Sequence, residues 1–419
     1  ISRSLVGSEM CIRDRFSSGT AGVRPAFSQQ YETWSVAGGN ISKGALGNKD
    51  LKPQTTTETE FGVDFSLLDR VSVELTSSST LNEDQLLPVP LAGFYGYSSQ
   101  WQNAGTLEAE ALELSVNGYV LNTRDMSLSL GFNYDTYDQK LTEFNMPAYL
   151  TSSGSGQTVF YMKNNTQYAS FWGTKWATGA AHLPEADRAS ISQFATNSDG
   201  YLVWVGDGNK VTEGISKTLW GRTSTGLSQT YNWGRPIQFV DSDGNSLHQI
   251  GTSVPDFGYS FNANFRFQGL SVYAMFDGQS GGNIYNHTRQ WGAREAATGD
   301  VDQYGKSEAE MKPTIYYRDL YHVNAANDYY VEDASYMKLR ELSVKYNVSS
   351  LVDLRSVGIN GLQVGIVGRN LITWTDYQGY DPEVGYGGGT LGSAVNARVD
   401  SYGYPNSVSY THLRAHETS

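Results

Sequence analysis

Tryptophan side chains are the residues of this sequence best suited to hold a ligand without reacting with it. Aromatic faces stack on sugar rings or on apolar peptide side chains, and they bury a large area at a small entropic cost. We expect five tryptophans, all in stretches with a loop-like composition, to be ligand contacts: Trp101, Trp172, Trp176, Trp233 and Trp291. For each of them taken singly, packing of one loop against another is the alternative interpretation.

A second set of candidates is polar and lies within segments that alternate between polar and apolar residues. These residues share the polar face of predicted strands, where carboxylates, amides and guanidinium groups form ion pairs and hydrogen bonds. The set is Glu60, Asp64, Glu113, Asn117 and Arg266. We expect them to line a lumen, or to hold a domain inside it, if the strands close into a barrel. A solvated wall without a ligand is the alternative.

Motifs for metal, nucleotide and hydrolytic chemistry are not supported by their surroundings. Residues 241–245 begin like a calcium-binding loop, but Ser246 and Thr252 stand where glycine and glutamate are required. Residues 387–392 match a dinucleotide-binding pattern without its strand-to-helix context. Glu108 and Glu110 have the residue types of a glycosidase pair, although flanking a strand is the simpler interpretation. We therefore expect no catalytic residue, no metal site and no cofactor.

The composition is that of strands and turns. The chain has 419 residues, with 45 glycines, 13% aromatic residues and only 17% charged residues. The formal net charge of −13 disfavours a nucleic-acid partner, which would require a basic stripe. The mean hydropathy is −0.42. No apolar run approaches the roughly 18 residues of a transmembrane helix, whereas a transmembrane barrel needs no such run.

Alternation of apolar and polar residues predicts pairs of long strands. Apolar residues occupy every second position in three segment pairs: Phe61 to Leu67 with Val71 to Leu75, Leu112 to Val120 with Met126 to Phe132, and Tyr259 to Phe267 with Leu270 to Phe276. Short turns at 68–70, 121–125 and 268–269 would place Leu67 opposite Val71, Val120 opposite Met126 and Phe267 opposite Leu270. The intervening loops, about 78–105, 138–200 and 278–333, are much longer.

Short turns at one end and long loops at the other are typical of outer-membrane barrels. A soluble sandwich also alternates, but it usually keeps most of its loops short. The pattern therefore predicts an all-β, antiparallel transmembrane β-barrel.

The two termini do not fit this pattern. Residues 1–15 and 407–419 lack sustained alternation and are similar to translated sequencing-adapter read-through. We expect both to be non-native segments that flank a barrel region at 16–406. The single cysteine, Cys11, lies in the first of them, so no disulfide framework or zinc site is expected in the barrel region.

Several segments, taken in order, resemble motifs of one family. Residues 51–64 are similar to its "LKPE-T…E-E-G-D" segment, residues 253–270 to its "P-D…K-G-L" hairpin, and residues 331–346 to "V-D-A-S-Y-L-R-L-K-N-L-T-L-G-Y". Residues 368–383 resemble "G-N-L-x-T-W-T…G-x-D-P-E", and residues 103–114 resemble a strand entry with Ala109 near the usual glycine. The ordered set resembles the SusC/RagA type of TonB-dependent outer-membrane receptors, from Bacteroidota and relatives.

This resemblance implies a large plugged barrel, of which the chain would supply the C-terminal half, or about 10–13 strands by the strand number of this class. It further implies import of glycans, oligosaccharides or peptides and no enzymatic activity. The implied partners are the TonB complex, acting through a plug domain missing here, a SusD-like surface lipoprotein and outer-membrane lipid. Two alternatives remain open, namely a soluble secreted β-sandwich that binds or hydrolyses carbohydrate, and a passive porin-like channel.

Overall fold

A computed structural model describes residues 11–152, 158–210, 221–307, 310–321, 326–350, 361–383, 398–405 and 407–414. Ten strands follow one another through its main sheet, in an order that matches their order in the chain. They are β1 (Cys11–Val23), β2 (Gln54–Leu67), β3 (Val71–Glu83), β4 (Gly105–Asn122), β5 (Met126–Phe144), β6 (Phe257–Phe267), β7 (Leu270–Ser280), β8 (Tyr336–Asn347), β9 (Gln363–Thr375) and β10 (Ser409–Arg414).

The connections between these strands carry the smaller elements. Their strands are Trp34–Ala37, Asn40–Lys43, Ala45–Leu46, Leu86–Pro90, Ser99–Asn103, Tyr149–Ser152, Thr158–Met162, Thr166–Gln167, Ser170–Gly173, Phe194–Thr196, Leu202–Trp204, His248–Thr252, Asn283–Asn286, Val331–Asp333 and Val399–Asp400. The α-helices are α1 (His287–Arg294) and α2 (Thr314–Leu320), and the 3₁₀ helices are Phe27–Gln30, Gly93–Tyr95, Ala180–His182, Glu185–Gln193, Asp328–Tyr330 and Val348–Ser350. No helix in the described ranges is long and apolar enough to cross a membrane.

Every pair of neighbouring strands in the main sheet is antiparallel, and their register aligns the apolar residues into one band. Phe65 lies opposite Val73, Val73 opposite Val116, and Val116 opposite Phe132. The band continues through β6 to β9 by the same alternation. Many of its side chains are exposed, among them Phe61 at 52% and Val344 at 42%. An apolar face left uncovered along a whole sheet is what a lipid-facing wall requires; we call it the outer face.

Two of the three predicted turns have the expected register. Leu67 lies opposite Val71, and Phe267 lies opposite Leu270. The pairing of Val120 with Met126 is wrong, because β4 continues to Asn122 and pairs it with Ser127. A β-bulge at Val120 leaves this residue without a partner on β5, because Leu128 pairs with Leu121 and Ser129 with Tyr119. The bulge keeps the other apolar residues of β4 on the outer face.

The long connections begin later than the sequence pattern indicates. The first starts after Glu83 and the second after Phe144, because β3, β4 and β5 extend beyond the apolar band. On β4 the outer face changes from Leu112 to Glu110, which marks the limit of that band. All these connections lie at one end of the sheet, the outer end, opposite the short turns at 68–70, 123–125 and 268–269.

The buried core of the described residues lies among these outer connections rather than between two sheets. One cluster contains Leu87, Phe144, Phe160 and Phe171, and a second is built around Trp204. A β-sandwich would place its core between the inner faces of two packed sheets. The single-layered main sheet with an exposed apolar face therefore contradicts the sandwich alternative and agrees with part of an antiparallel barrel.

The outermost strands include residues from the segments expected to be non-native. Residues Cys11 to Val23 pair with Ser66 to Gln54 without a break, and Ser409–Arg414 pairs with β9. Within β1, however, Asp14 stands opposite Val63 of the apolar band, which no native lipid-facing strand would favour. The non-native origin of 1–15 and 407–419 remains a prediction, and resequencing the source DNA across both ends tests it.

Candidate functional site

The polar candidates lie together on the face opposite the apolar band, which we call the interior face. Glu60, Asp64, Glu113, Asn117 and Arg266 all occupy positions that alternate with outer-face residues. Arg15 Nη2 lies 3.1 Å from Asp64 Oδ1, and Asn117 Nδ2 donates to Ser115 Oγ at 3.1 Å. The five side chains therefore share a wall, but the structure does not gather them into one cluster.

Two concavities open on this wall near the turn end. Asn117 contributes to one of about 470 Å³ and Arg266 to one of about 750 Å³. Glycine is required at position 131 between two residues that line the first, because a Cβ there would clash with Asn262 Nδ2 and lie 2.7 Å from Asn117 Oδ1. The interior face thus presents amide and charged groups to open concavities.

Sequence reasoning missed the densest group of charges on the interior face. This ion cluster consists of Asp277 on β7, Lys338 and Arg340 on β8, and Asp381 and Glu383 beyond β9. Lys338 Nζ lies 2.5 Å from Asp381 Oδ1 and 2.7 Å from Glu383 Oε2. Arg340 Nε lies 2.6 Å from Asp277 Oδ1, and both of its terminal nitrogens bond to Glu383.

A β-bulge makes this cluster possible. Leu339 and Glu341 have partners on both neighbouring strands, whereas Arg340 between them has none. The extra residue turns Arg340 to the same side as Lys338, so both cations reach Glu383. Burial raises the pKa of Glu383, but hydrogen bonds from Arg340 and Lys338 outweigh it and lower the pKa to about 2. Asp381 and Glu383, which follow β9, are thereby fixed to the wall.

The cluster joins two of the segments that carry the family resemblance. Lys338 and Arg340 belong to the stretch at 331–346, and Asp381 and Glu383 to the stretch at 368–383. The signal was thus present in the sequence as two motifs, each with charged residues two positions apart. Their mutual contact could not be inferred, because about 40 residues separate them along the chain.

The tryptophan candidates are dispersed over the outer connections. Trp176 and Trp233 are buried to 8% exposure in the second core cluster. Trp172 is half-buried and donates through Nε1 to Ser170 Oγ at 2.9 Å, and Trp101 is half-buried in the strand Ser99–Asn103. Trp291 is exposed, and the Arg294 guanidinium lies over its ring, with Cζ 4.8 Å from the ring centroid. Of the five, Trp176 lines a cavity among the outer connections.

This loop cavity has a volume of about 670 Å³ and is formed by the second and third long connections. Trp176, Tyr231 and Asn232 line it from one connection, and Arg318 and Asp319 line it from α2. Volumes of 300 to 1,000 Å³ are typical of small-molecule sites. Its mixture of aromatic rings, amides and guanidinium groups is suited to binding a polar ligand.

Asn327 and Asp328, both in the third long connection, form hydrogen bonds to the second connection beside this cavity. Asp328 Oδ2 accepts from the Trp176 backbone N–H at 3.2 Å, and Asp328 Oδ1 accepts from Tyr201 Oη at 3.3 Å. Asn327 Oδ1 accepts from Trp176 Nε1 at 3.4 Å, while Asn327 Nδ2 donates to the Leu320 carbonyl within its own connection at 2.7 Å. Burial raises the pKa of Asp328 to about 6, so this joint contains an acid that titrates near neutrality.

The segment that begins like a calcium-binding loop forms a turn in the structure. Asp241 accepts from the backbone N–H groups of Asp243 and Asn245, as in an ordinary acidic turn. Among the described residues no group of three or more His, Cys, Asp or Glu side chains is placed to hold a metal ion. The glycine-rich stretch 387–392 lies outside the described residues.

No family model matches the chain. Among curated proteins, TonB-dependent receptor P3 of Formosa agariphila is 28% identical over 376 residues, which cover 87% of this chain and 34% of that protein. TonB-dependent receptor P39 of the same organism is 24% identical over 393 residues, and TonB-dependent receptor SusC of Bacteroides thetaiotaomicron is 21% identical over 377. The chain spans about a third of the length of these relatives.

Solved structures agree with this relationship at the level of the fold. The RagAB peptide transporter matches with a TM-score of 0.62 at 20% identity, covering 95% of this chain and 40% of the matched chain. The "closed-closed" state of the RagAB peptide importer matches with a TM-score of 0.58 at 21% identity. Receptors and transporters of this kind are outer-membrane proteins and not enzymes. By sequence and by fold, the chain is similar to a part of the β-barrel of SusC/RagA-type TonB-dependent receptors.

Proposed function

We propose that this chain forms barrel wall and outer loops of a transporter that imports a nutrient across the outer membrane, with energy supplied through TonB. One observation carries the proposal: the main sheet exposes an apolar band on one face and a charged wall on the other, while its long connections pack at one end. A wet interior, a lipid-facing exterior and a structured outer end are the parts that an import channel requires. The names of the relatives supply the dependence on TonB.

The cargo we propose is a glycan, an oligosaccharide or a peptide. Trp101, Trp172, Trp176, Trp233 and Trp291 are the proposed cargo contacts, and Trp176 has the best support because it lines the loop cavity. Glu60, Asp64, Glu113, Asn117 and Arg266 are the proposed lumen or plug contacts, supported by their common position on the interior face. A SusD-like surface lipoprotein at the outer end and a plug domain that receives TonB are the proposed partners.

The test uses the complete receptor that contains this segment, expressed in a Bacteroidota host from which competing receptors have been deleted. Uptake of fluorescent oligosaccharide and peptide pools is measured with and without tonB, and with a protonophore. We expect uptake of one pool that disappears in both energy-depleted conditions. Uptake that persists without tonB and after the protonophore would instead establish the passive porin-like channel.

A further inference from the structure

The loop cavity is positively charged, whereas the chain as a whole is acidic. Two arginines, Arg235 and Arg318, and one acid, Asp319, line it, so their formal charges sum to +1. The lining histidine, His182, adds no charge near neutral pH, because burial lowers its pKa. The whole chain carries −13. A net-acidic protein repels anions at long range, and a locally positive cavity counteracts that repulsion.

The geometry leaves one of the two guanidinium groups available to a ligand. Arg235 is engaged, because its Nη2 lies 2.6 Å from Asp319 Oδ1 and its Nε bonds to the other oxygen of that carboxylate. Arg318 precedes Asp319 on α2, is exposed, and has no hydrogen-bond or ion-pair partner in the described part of the chain. The single acid of the cavity is therefore neutralised by one arginine while the other faces the cavity unpaired.

We propose that this cavity binds a carboxylate-bearing part of the cargo, with the Arg318 guanidinium pairing to the carboxylate. A planar guanidinium presents parallel N–H donors that match the two oxygens of a carboxylate. The Trp176 and Tyr231 rings and the Asn232 amide line the same space and supply contacts for the uncharged remainder. This inference rests on the proposed import function and adds the chemical class of the cargo. A uronic acid unit and a peptide C-terminus both provide the carboxylate.

Matched pairs of probes separate these two sources from each other and from uncharged ligands. Binding of tetragalacturonate is compared with binding of its methyl ester, and binding of tetra-alanine with binding of its C-terminal amide, by calorimetry on the complete receptor in detergent. We expect one acid to bind more tightly than its neutral counterpart, with an affinity that falls as salt is added. Equal binding of acid and neutral forms, or binding of neither acid at 10 mM (roughly the weakest affinity that calorimetry resolves), overturns the proposal.

Three substitutions locate the effect. Arg318→Gln is expected to weaken acid binding roughly 10- to 100-fold, as loss of a hydrogen bond to a charged group implies, and to leave the neutral probe unchanged. Asp319→Asn frees Arg235 and is expected to strengthen acid binding. Arg222→Gln, at an exposed arginine of the second long connection that does not line the cavity, is expected to change nothing. Unchanged acid binding in Arg318→Gln contradicts the proposal. Heat-modifiable migration of each variant on gels serves as the control that its barrel is folded.

Uptake measured in parallel distinguishes failure of this inference from failure of the proposed function. Acid binding that depends on Arg318, without any tonB-dependent uptake, would contradict import and leave the site intact. Uptake that depends on tonB, with no preference for either acid and no effect of Arg318→Gln, would support import and overturn the site.

Discussion

At the scale of single residues, buried charge is concentrated where the chain returns to the barrel wall after β9. The Lys338 side chain is 2% exposed and lies between the carboxylates of Asp381 and Glu383. Burial of an ammonium group is tolerated only with close and complete pairing, and removal of one partner leaves the others uncompensated. The ion cluster is thus more sensitive to change than any surface ion pair.

We expect Lys338→Met to destabilise the outer end by about 3 to 5 kcal/mol, because two carboxylates lose their shared cation. The temperature at which the complete receptor loses its folded migration on gels measures this effect. Arg369→Met is the matched control: Arg369 pairs with Glu341 on the same sheet, but its side chain is 64% exposed, so the loss should stay within about 1 kcal/mol.

A double variant tests whether the cause is charge or shape. Lys338→Met combined with Asp381→Leu removes one unpaired carboxylate and leaves Glu383 bonded to Arg340. We expect this variant to recover much of the lost stability. If Lys338→Met alone proves no more harmful than Arg369→Met, the ion cluster does not hold this segment to the wall.

At the scale of elements, the outer connections behave as a packed unit that is fastened by polar joints. Thr174 and Asn327 form a parallel bridge, and the Asp328 N–H donates to the Thr174 carbonyl at 3.0 Å. The Asp328 carboxyl continues this contact to Trp176 and Tyr201. Because burial raises its pKa, this joint couples the packing of two connections to pH.

We expect the joint to weaken as pH rises. The pKa of Asp328 is raised from 3.8 to about 6 in the folded protein, so the folded state binds the extra proton and its stabilisation is complete below about pH 4. It is lost as pH rises through 6, by up to about 3 kcal/mol. Asp328→Asn resembles the protonated acid and should remove this dependence.

Amide hydrogen exchange of the Trp176 N–H at pH 5 and pH 7.5, corrected for intrinsic rates, measures the effect. Protection should be lower at pH 7.5 than at pH 5 in the wild-type protein. The same decrease is expected in Asp243→Asn, a control at an exposed residue of the connection that contains Trp176. It should remain constant in Asp328→Asn. The same pH dependence in all three proteins would show that Asp328 is not its source.

Strand alternation gives a prediction about the two faces of the sheet. Val116 lies in the middle of the apolar band, opposite Val73 and Phe132, whereas Ser115 lies on the interior face opposite Glu74 and Asn133. Val116→Arg should cost about 2 to 4 kcal/mol of folding in a bilayer, since it places a charge in lipid. Ser115→Arg, one residue away, should cost far less.

Folding of both arginine variants of the complete receptor into liposomes, followed by heat-modifiable migration over a urea series, measures these costs. Equal destabilisation by the two substitutions would mean that the apolar band does not face lipid. It would favour a soluble arrangement in which both faces meet water or protein.

At the scale of the whole molecule, the main sheet runs from β1 to β10 as one layer. Within the described residues β1 pairs with β2 and β10 with β9, and neither has a second neighbour. Unpaired backbone groups of edge strands are costly in lipid, and barrels avoid them by closing. The sheet therefore needs further strands to be stable in a membrane.

We expect the isolated 419-residue chain not to form a stable barrel in detergent. Its unboiled and boiled forms should migrate alike on gels, whereas the complete receptor should show a heat-dependent shift. A sustained shift for the isolated chain would contradict this expectation and indicate closure through pairing of β1 with β10.

The sequence alone determined which side chains share the lipid-facing face and which share the interior face, because strand side chains alternate with a period of two. A register shifted by one residue would mix apolar and polar side chains on each face. It also determined two of the three tested turn registers and the kind of protein, through ordered motifs. The tertiary structure decided what depends on contacts between distant segments. The bulge at Arg340 and the contact of Lys338 with Asp381 and Glu383 arise from pairing across three strands. The loop cavity likewise joins residues from two connections, so neither stretch of sequence alone could reveal that Arg318 and Trp176 line one cavity, with Arg318 unpaired among the described residues.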